Sequence, residues 1–412
     1  MKFKLIYCLV IVASLQFVGC SSKIRPTKKV KAPQTSKEQE KPKEVINEKT
    51  PVKKRFTDAN VSLLIPFDLN KINLKTATKA DVERHSMAID FYQGFNLGID
   101  SAANFGLNFK LNVFDTQDDQ ARIATLIRNE GLVNSDLIVG PVFPKGIKAI
   151  TEYSIAHHTT IISPLAASNP IDFNNPNLVS IASGLDQHAT NLAYYISKHY
   201  EPANTIVVLI NTQKTEDENF AAPIRTFFKQ ASEAKFILQE FPSTYAFERS
   251  IVKGKRYAVV VTSTDRAFVM STIEKLFRLK NNPLSKCDIN LFGHPGWLKQ
   301  NYPVDQLESL NTIVSSSYKV DYKSNSVIKF IKNYRIRYGF EPGEYAFKGF
   351  DVGFYVGRLL AKHGADYREY ITKESYNGLH NNFSFVYNPQ TGFINTHVML
   401  LRYHNFSLEV VN

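Results

Sequence analysis

Side chains that could bind a ligand follow several short apolar runs of this 412-residue chain. Residues 137–139 and 161–163 are β-branched runs that stop at turn residues, which is typical of parallel strands buried on both faces. In open α/β sheets, ligands bind beside the carboxyl ends of such strands. A hydroxyl there can hold a polar group, and an aromatic ring can stack on a sugar, a base or a peptide side chain. The aromatic residues that follow predicted strands are Phe67, Phe143 and Trp297.

Motifs of the common catalytic and cofactor sites are absent from the sequence. There is no Gly-x-Gly fingerprint, no Gly-x-x-x-x-Gly-Lys phosphate loop, no His-Glu-x-x-His pair and no Gly-x-Ser-x-Gly elbow. Ser-x-x-Lys recurs four times without Lys-Thr-Gly, which we attribute to chance in a chain rich in Ser and Lys. The adjacent His157 and His158 would diverge on a helix. We therefore predict no cofactor, no metal site and no enzyme activity, with a hydrolase as a remote alternative.

The net charge of +12 is concentrated near the amino terminus. Residues 21–56 carry a net charge of +8, Lys2 and Lys4 add two more, and residues 57–412 are left nearly balanced. A nucleic-acid-binding module would carry its basic patch on the folded part of the chain. The charge distribution therefore predicts no nucleic-acid partner.

Residues 1–19 are typical of a bacterial lipoprotein signal peptide. Lys2 and Lys4 precede an apolar segment, residues 5–18, that is too short for a stable membrane span. The following Gly19-Cys20 resembles the lipoprotein processing site, which implies that Cys20 is lipidated and becomes the first residue. An ordinary signal peptide with a chance cysteine is the alternative. Ser21, where Asp would direct retention at the inner membrane, implies the outer membrane by the same resemblance.

Residues 20–57 form a basic segment with almost no large apolar side chains after Cys20. Such a composition cannot bury enough surface to offset its chain entropy, so we predict a disordered tether. It could be a plain spacer, or it could bind anionic phospholipid headgroups or wall polymers. Because Cys8 lies in the signal and Cys287 stands alone, no disulfide is expected within the mature chain.

Strands and helices alternate through the rest of the chain. Residues 61–67 form a first predicted strand, residues 68–82 are expected to be a loop, and an amphipathic helix follows from Ala88 to Ala102. Gly94 and Gly98 on this helix should allow close approach to the sheet. Two such α/β series in tandem predict two lobes, each built on a mainly parallel sheet flanked by helices.

The order of these segments resembles the type I periplasmic-binding-protein fold. The pieces that carry the resemblance are residues 61–67, 88–100, 114–118, 137–141, 161–170 and 345–351. The fold implies two lobes joined by crossovers. We expect residues 58–183 and 317–378 in the first lobe, and residues 184–316 and 379–412 in the second.

The resemblance also bears on the ligand. In amino-acid-binding members, small and hydroxyl residues after the third and fourth strands hold the charged ends of the ligand. Ala167 and Ser168 match the second of these loops, but residues 140–144 offer Pro and Phe in the first. Because proline has no backbone N–H, a ligand carboxylate would lose donors there. This departure disfavours a free amino acid.

Two functions remain open at this stage. One is a lipid-anchored, non-catalytic envelope protein that binds a small polar solute between its lobes, with closure by a hinge motion. The other is a protein-interaction module or regulator of cell-wall synthesis with a degenerate cleft and an envelope protein as partner. The chain also resembles a lipoprotein branch of the fold that includes an activator of a penicillin-binding protein. In the second case, Phe67, Phe143 and Trp297 would only pack the interface between the lobes.

Overall fold

Fully buried runs of β-branched residues become the central strands of two sheets. The computed structural model describes residues 56–73, 75–129, 131–230, 236–284 and 287–412. Cys20 and most of the predicted tether lie outside these residues. Within them, no helix is long and apolar enough to cross a membrane. The strands in this part of the chain are β1 (Asp58–Ile65), β2 (Asn108–Asp115), β3 (Leu137–Val139), β4 (Ile161–Ser163), β5 (Leu178–Ser180), β6 (Thr205–Ile210), β7 (Ile237–Phe241), β8 (Arg256–Val261), β9 (Asp288–Gly293), β10 (Ile313–Ser316), β11 (Tyr376–Asn377), β12 (Asn382–Phe383), β13 (Phe385–Asn388), β14 (Gly392–Asn395), β15 (Met399–His404) and β16 (Ser407–Val410).

Amphipathic helices connect the strands and cover the sheets. Their apolar positions recur every three or four residues, so each helix buries one face. The helices in the described residues are α1 (Lys79–Arg84), α2 (Ser86–Ala103), α3 (Gln120–Arg128), α4 (Pro144–His157), α5 (Leu185–His199), α6 (Thr215–Gln230), α7 (Thr244–Glu248), α8 (Arg266–Asn281), α9 (Val304–Ser309), α10 (Asn325–Tyr338) and α11 (Glu344–His363).

The two large sheets have seven strands each and define two lobes. The sheet of lobe one runs β13-β14-β5-β4-β3-β1-β2, and the sheet of lobe two runs β16-β15-β10-β9-β8-β6-β7. Both are parallel except at one edge, where β13 is antiparallel to β14 and the β15–β16 hairpin is antiparallel to β10. The predicted fold class, two mainly parallel α/β lobes, is confirmed.

The chain passes three times between the lobes. The crossings follow β5, β10 and β14, and residues 385–395 therefore belong to the sheet of lobe one. The expectation that residues 379–412 lie wholly in lobe two is wrong for this hairpin. Phe385 and Phe393 are buried in the core of lobe one, and Phe393 pairs with Val179 of β5. Burial of these two aromatic rings holds the hairpin on the first sheet.

Helices α2 and α11 pack with their backbones in close contact. A Cβ atom built on Gly94 would lie 1.9 Å from the carbonyl oxygen of Ala346, and one on Gly349 would lie 2.1 Å from that of Phe91. The close approach predicted from Gly94 and Gly98 therefore exists, but its partner is α11 rather than the sheet. Helix α11 follows in sequence about 250 residues later, so no local pattern identifies it as the partner.

A short helix interrupts the segment that was expected to be a loop. Thr78 caps α1 by accepting a hydrogen bond from the Asp81 backbone, and the Asp81 carboxylate accepts one from the Thr78 backbone. This reciprocal capping box satisfies two backbone donors that a helix start leaves open. The capping box explains why α1 forms although none of its residues is buried.

Candidate functional site

A cavity of about 830 Å³ lies between the two lobes. One side comes from lobe one: the loop after β4, the start of α11 and the turn that joins β11 to β12. The other side comes from lobe two: the start of α5 and the 3-10 turn Pro295–Lys299. Residues of the first two crossings complete the lining. A volume of this size suits a small-molecule site.

Aromatic and charged side chains form one wall of the cavity. The ring of Tyr318 stacks on His380 at 4.6 Å and 10°. The Lys348 Nζ lies 4.7 Å from the centroid of Tyr318 and 5.0 Å from that of Tyr345, within the range of a cation–π contact. It also pairs with the Glu344 carboxylate at 2.5 Å. The charges on this wall are therefore already partnered by protein groups.

His380 has no hydrogen-bond partner on either ring nitrogen. The side chain is buried, and its Nε2 lies 4.0 Å from the Glu344 Oε1, beyond hydrogen-bond reach. Burial, and then the charge of Lys348, lowers the pKa of His380 to about 3. The imidazole is therefore neutral at physiological pH and offers one donor and one acceptor.

The buried Asp351 holds the turn that carries His380 into the cavity. Its Oδ1 accepts hydrogen bonds from the Leu379 N–H at 2.7 Å and the Tyr376 hydroxyl at 3.0 Å. Its Oδ2 accepts from the N–H groups of His380 at 2.9 Å and Asn381 at 3.0 Å. Burial raises the pKa of Asp351 to about 6, against the opposing effect of these four bonds. Asp351 positions the turn and has little capacity left for a ligand.

A second buried histidine, His188, lies on the lobe-two side. Its Nε2 is 2.9 Å from the Ser317 hydroxyl, and its Nδ1 has no partner. Burial, with a smaller effect from His294, lowers the pKa of His188 to about 4. This ring is neutral as well, so it presents one unused hydrogen-bonding nitrogen.

Polar atoms without partners thus occur on both sides of the cavity. They are the Nδ1 of His188, the Nδ1 and Nε2 of His380, and the Oδ1 of Asn381. A buried polar group without a hydrogen bond costs about 1–3 kcal/mol, so native proteins rarely leave several together. Their residues all line this cavity, and a bound molecule that reaches these atoms would complete their hydrogen bonds. No group of three or more metal-ligating side chains exists among the described residues.

The architecture is shared with solved bacterial binding proteins. A protein of Rhodospirillum rubrum described as a branched-chain amino acid ABC transporter superposes with a TM-score of 0.61 at 13% identity, over 86% of this chain and 100% of its own. An ABC transporter substrate-binding protein of Desulfitobacterium hafniense, in complex with Leu, superposes with a TM-score of 0.52 at 13% identity, over 86% and 100%. The chain has the type I periplasmic-binding-protein fold. The resemblance predicted from the sequence is confirmed.

LpoA of Haemophilus influenzae has the same fold over part of its length. It superposes with a TM-score of 0.56 at 12% identity, over 87% of this chain but only 60% of LpoA. No protein-family model and no curated protein sequence matches the chain. At these identities, the likeness establishes the type I periplasmic-binding-protein fold and nothing finer.

Within this type I fold, the loop after β4 reaches the cavity and the loop after β3 does not. Ala167 lines the cavity and is exposed to it, whereas its neighbour Ser168 is half-buried and outside the lining. Phe143 is 39% exposed at the start of α4 and does not line the cavity. Of the five predicted ligand-binding residues, only Ala167 contacts the cavity.

The other two predicted aromatic residues are held inside the lobes. Trp297 is fully buried, and its Nε1 donates a 2.9 Å hydrogen bond to the Ser263 carbonyl. Gly293 makes room for it, because a Cβ there would lie 2.3 Å from the indole ring. Phe67 packs on the core of lobe one, edge-on to Tyr92 at 5.9 Å. Both rings stabilise lobes and leave the cavity wall to neighbouring residues.

Sequence reasoning missed the residues that dominate the cavity. Their shared property is that each comes from a crossing, a helix or a tight turn rather than from a strand end. They are His188, Tyr318, Lys348, Asp351 and His380. One local signal was available: Gly378 precedes the β11–β12 turn, and a Cβ on it would lie 2.6 Å from the Asp351 carboxylate.

Proposed function

We propose that this chain is a non-catalytic solute-binding protein of the bacterial cell envelope. A small polar solute binds in the cavity between the lobes, and a lipid on Cys20 anchors the protein, with the outer membrane as its location. The solute-binding part rests on one observation: three residues that have unpartnered buried atoms, His188, His380 and Asn381, line a cavity between the two lobes. The anchor rests on the sequence around Cys20.

Solute binding would be coupled to movement of the lobes. The lining combines groups from α5 on one side and α11 on the other, together with two of the three crossings. A ligand that bonds to both sides stabilises the closed arrangement, since it interacts more strongly with it than with an open one. Binding would therefore stabilise the protein against heat as well as change its shape.

Filling the cavity tests this function directly. Ala167→Trp places a large side chain where Ala167 lines the cavity, and Ala103→Trp places the same side chain on an exposed position of α2, away from it. A solute found by native mass spectrometry and thermal shift, from a panel of amino acids, sugars and muropeptides, should bind Ala103→Trp as it binds the unaltered chain. Ala167→Trp should fold but lose the thermal shift. Equal binding by both variants would exclude this cavity as the site.

The interaction-module function remains a second candidate because LpoA shares the fold. In that case, the panel would produce no thermal shift with any solute, and Ala167→Trp would behave as the unaltered chain. Cross-linking in intact cells would then capture an envelope protein on a surface of the lobes. A wall synthase among the captured proteins would favour a role in cell-wall synthesis over solute binding.

A further inference from the structure

We propose that the solute is uncharged and hydroxyl-bearing, in the class of neutral sugars and polyols. This inference rests on the proposed solute-binding function and specifies its ligand. It follows from two properties of the cavity: its charged side chains other than the exposed Lys299 already have protein partners, and its unpartnered hydrogen-bonding atoms belong to neutral groups.

The charged side chains along the cavity leave no buried charge for an ionic ligand. Glu344 and Lys348 pair with each other, and Lys348 also lies against two tyrosine rings. The carboxylate of Asp351 accepts hydrogen bonds from four donors in β11 and the turn that follows it. Lys299 is exposed at the lobe-two side, where water screens its charge. Burying an ionised group without a partner is costly, so a charged solute would enter this site at a penalty.

The unpartnered nitrogen and oxygen atoms require a ligand that can both donate and accept hydrogen bonds. A neutral imidazole has one N–H donor and one acceptor nitrogen, and the Oδ1 of Asn381 is an acceptor. A hydroxyl donates and accepts through a single atom, so a ring of hydroxyls can satisfy His188, His380 and Asn381 whichever tautomers the histidines adopt. The hydroxyls of Ser183 and Ser316 are already committed to the carbonyls of His397 and Tyr318, respectively, which leaves the histidines as the main recognition groups.

A free amino acid fits these groups poorly. Its carboxylate and ammonium would need two opposite charges at short range, and the carboxylates and the half-buried Lys348 of the cavity already have partners. The loop after β3, with Pro141 and Pro144, does not line the cavity and supplies no donors to it. The cavity therefore disfavours zwitterions even though solved proteins of the same fold bind them.

Charge-matched sugars test the inference with the full chain, purified in a detergent that has no sugar headgroup. Calorimetry measures the affinities of glucose, of its anionic counterpart glucuronate and of its cationic counterpart glucosamine. The same comparison is made for galactose and its two charged counterparts, and leucine represents the zwitterions. We expect at least one neutral sugar to bind about ten-fold or more tighter than its charged counterparts. A ten-fold difference in affinity corresponds to the cost of burying one polar group without a hydrogen-bond partner. Binding of leucine or of a charged sugar in preference to every neutral one would overturn the inference and leave the proposed function standing. No binding by any compound would overturn both.

A pair of histidine variants tests whether His380 is responsible for sugar binding. His380→Phe keeps a ring stacked on Tyr318 but removes both unpartnered nitrogens. His157→Phe makes the same change in an exposed histidine outside the cavity lining, whose ring lies 4.4 Å from that of Tyr153 at a tilt of 33°. His380→Phe should weaken sugar binding about ten-fold while His157→Phe leaves it unchanged. If His380→Phe does not fold, Asn381→Ala provides the same test. Unaltered affinity in a folded His380→Phe or Asn381→Ala variant would refute the assigned recognition groups.

Discussion

Two histidines that line the cavity, His188 and His380, and His294 next to the lining turn are held neutral by burial, and this couples the stability of the protein to pH. Burial lowers the pKa of His188 and of His294 to about 4 and that of His380 to about 3. An unfolded chain takes up a proton at each of these rings near pH 6.5, whereas the folded chain does not. Their contribution to stability is therefore complete above about pH 6.5 and is lost as the pH falls toward 4.

Asp351 changes the pH dependence in the opposite direction. Its pKa in the folded protein, about 6, lies above the value for an unfolded aspartate. Its contribution to stability is therefore present below about pH 4 and is lost as the pH rises through 6. Because three histidines oppose one carboxyl group, the histidines dominate between pH 6.5 and pH 4.

We predict that the free energy of unfolding falls on acidification from pH 7 to pH 5. Each buried histidine should contribute a slope of up to about 1.4 kcal/mol per pH unit, which is the free energy equivalent of one proton. Urea unfolding at several pH values measures the total, and His380→Phe should reduce the slope by the share of one histidine. His157→Phe, at an exposed position, should retain the full slope. An identical slope in His380→Phe would show that His380 is not held neutral in the folded protein.

At the scale of secondary-structure elements, the contact between α2 and α11 is the least tolerant of added atoms. Four glycines bring the backbone of one helix against the backbone of the other: Gly94, Gly98, Gly349 and Gly353. A methyl group added at any of them would meet backbone atoms rather than a side chain that could move aside. Helix α11 also carries Asp351 and Lys348, so its position on α2 fixes one wall of the cavity.

Gly349→Ala should destabilise the protein by about 1–3 kcal/mol or more, as overpacking of a core does. The gain in helix propensity, about 1 kcal/mol for Gly→Ala, works against this loss and is smaller than a clash with the Phe91 carbonyl at 2.1 Å. Urea unfolding measures the change, with Asn333→Ala on the exposed face of α10 as the control. A Gly349→Ala protein as stable as the unaltered chain would mean that the two helices can separate without cost.

At the scale of the whole molecule, the anchor makes a prediction that is independent of the lobes. Cys20→Ala should release the protein from the membrane fraction because the acceptor of the lipid is removed. Cys8→Ala changes the cysteine inside the apolar segment of the signal peptide and should leave the protein membrane-bound. Fractionation of cells followed by detection of the protein measures both. Continued membrane association of Cys20→Ala would contradict lipidation at this residue.

The sequence was informative where a segment is buried on both faces. The run at residues 205–210 is fully buried in β6, and its β-branched composition was sufficient to predict the strand. The hairpin of β13 and β14 was not predicted, because its strands have four residues each and its place depends on pairing with β5, over 200 residues earlier in the chain. Local pattern therefore predicted the lobes but misplaced the third crossing.

The candidate site was less predictable than the fold. Ala167 was found because its loop resembles the ligand-binding loop after the fourth strand in amino-acid-binding members of the fold. Trp297 follows β9 in the same way, yet it folds back to the carbonyl of Ser263, a contact that a strand-end rule does not anticipate. His380 depends on Asp351, which lies 29 residues away in sequence and holds its turn. Such positions follow from tertiary hydrogen bonds, which leave no periodic signal in the sequence.

The number of crossings has a practical consequence. Since the chain passes between the lobes three times, an odd number, β1 and β16 belong to different lobes. A donor dye near Asp58 and an acceptor dye near Ser407, at the start of β16, would therefore report the distance between the lobes by energy transfer.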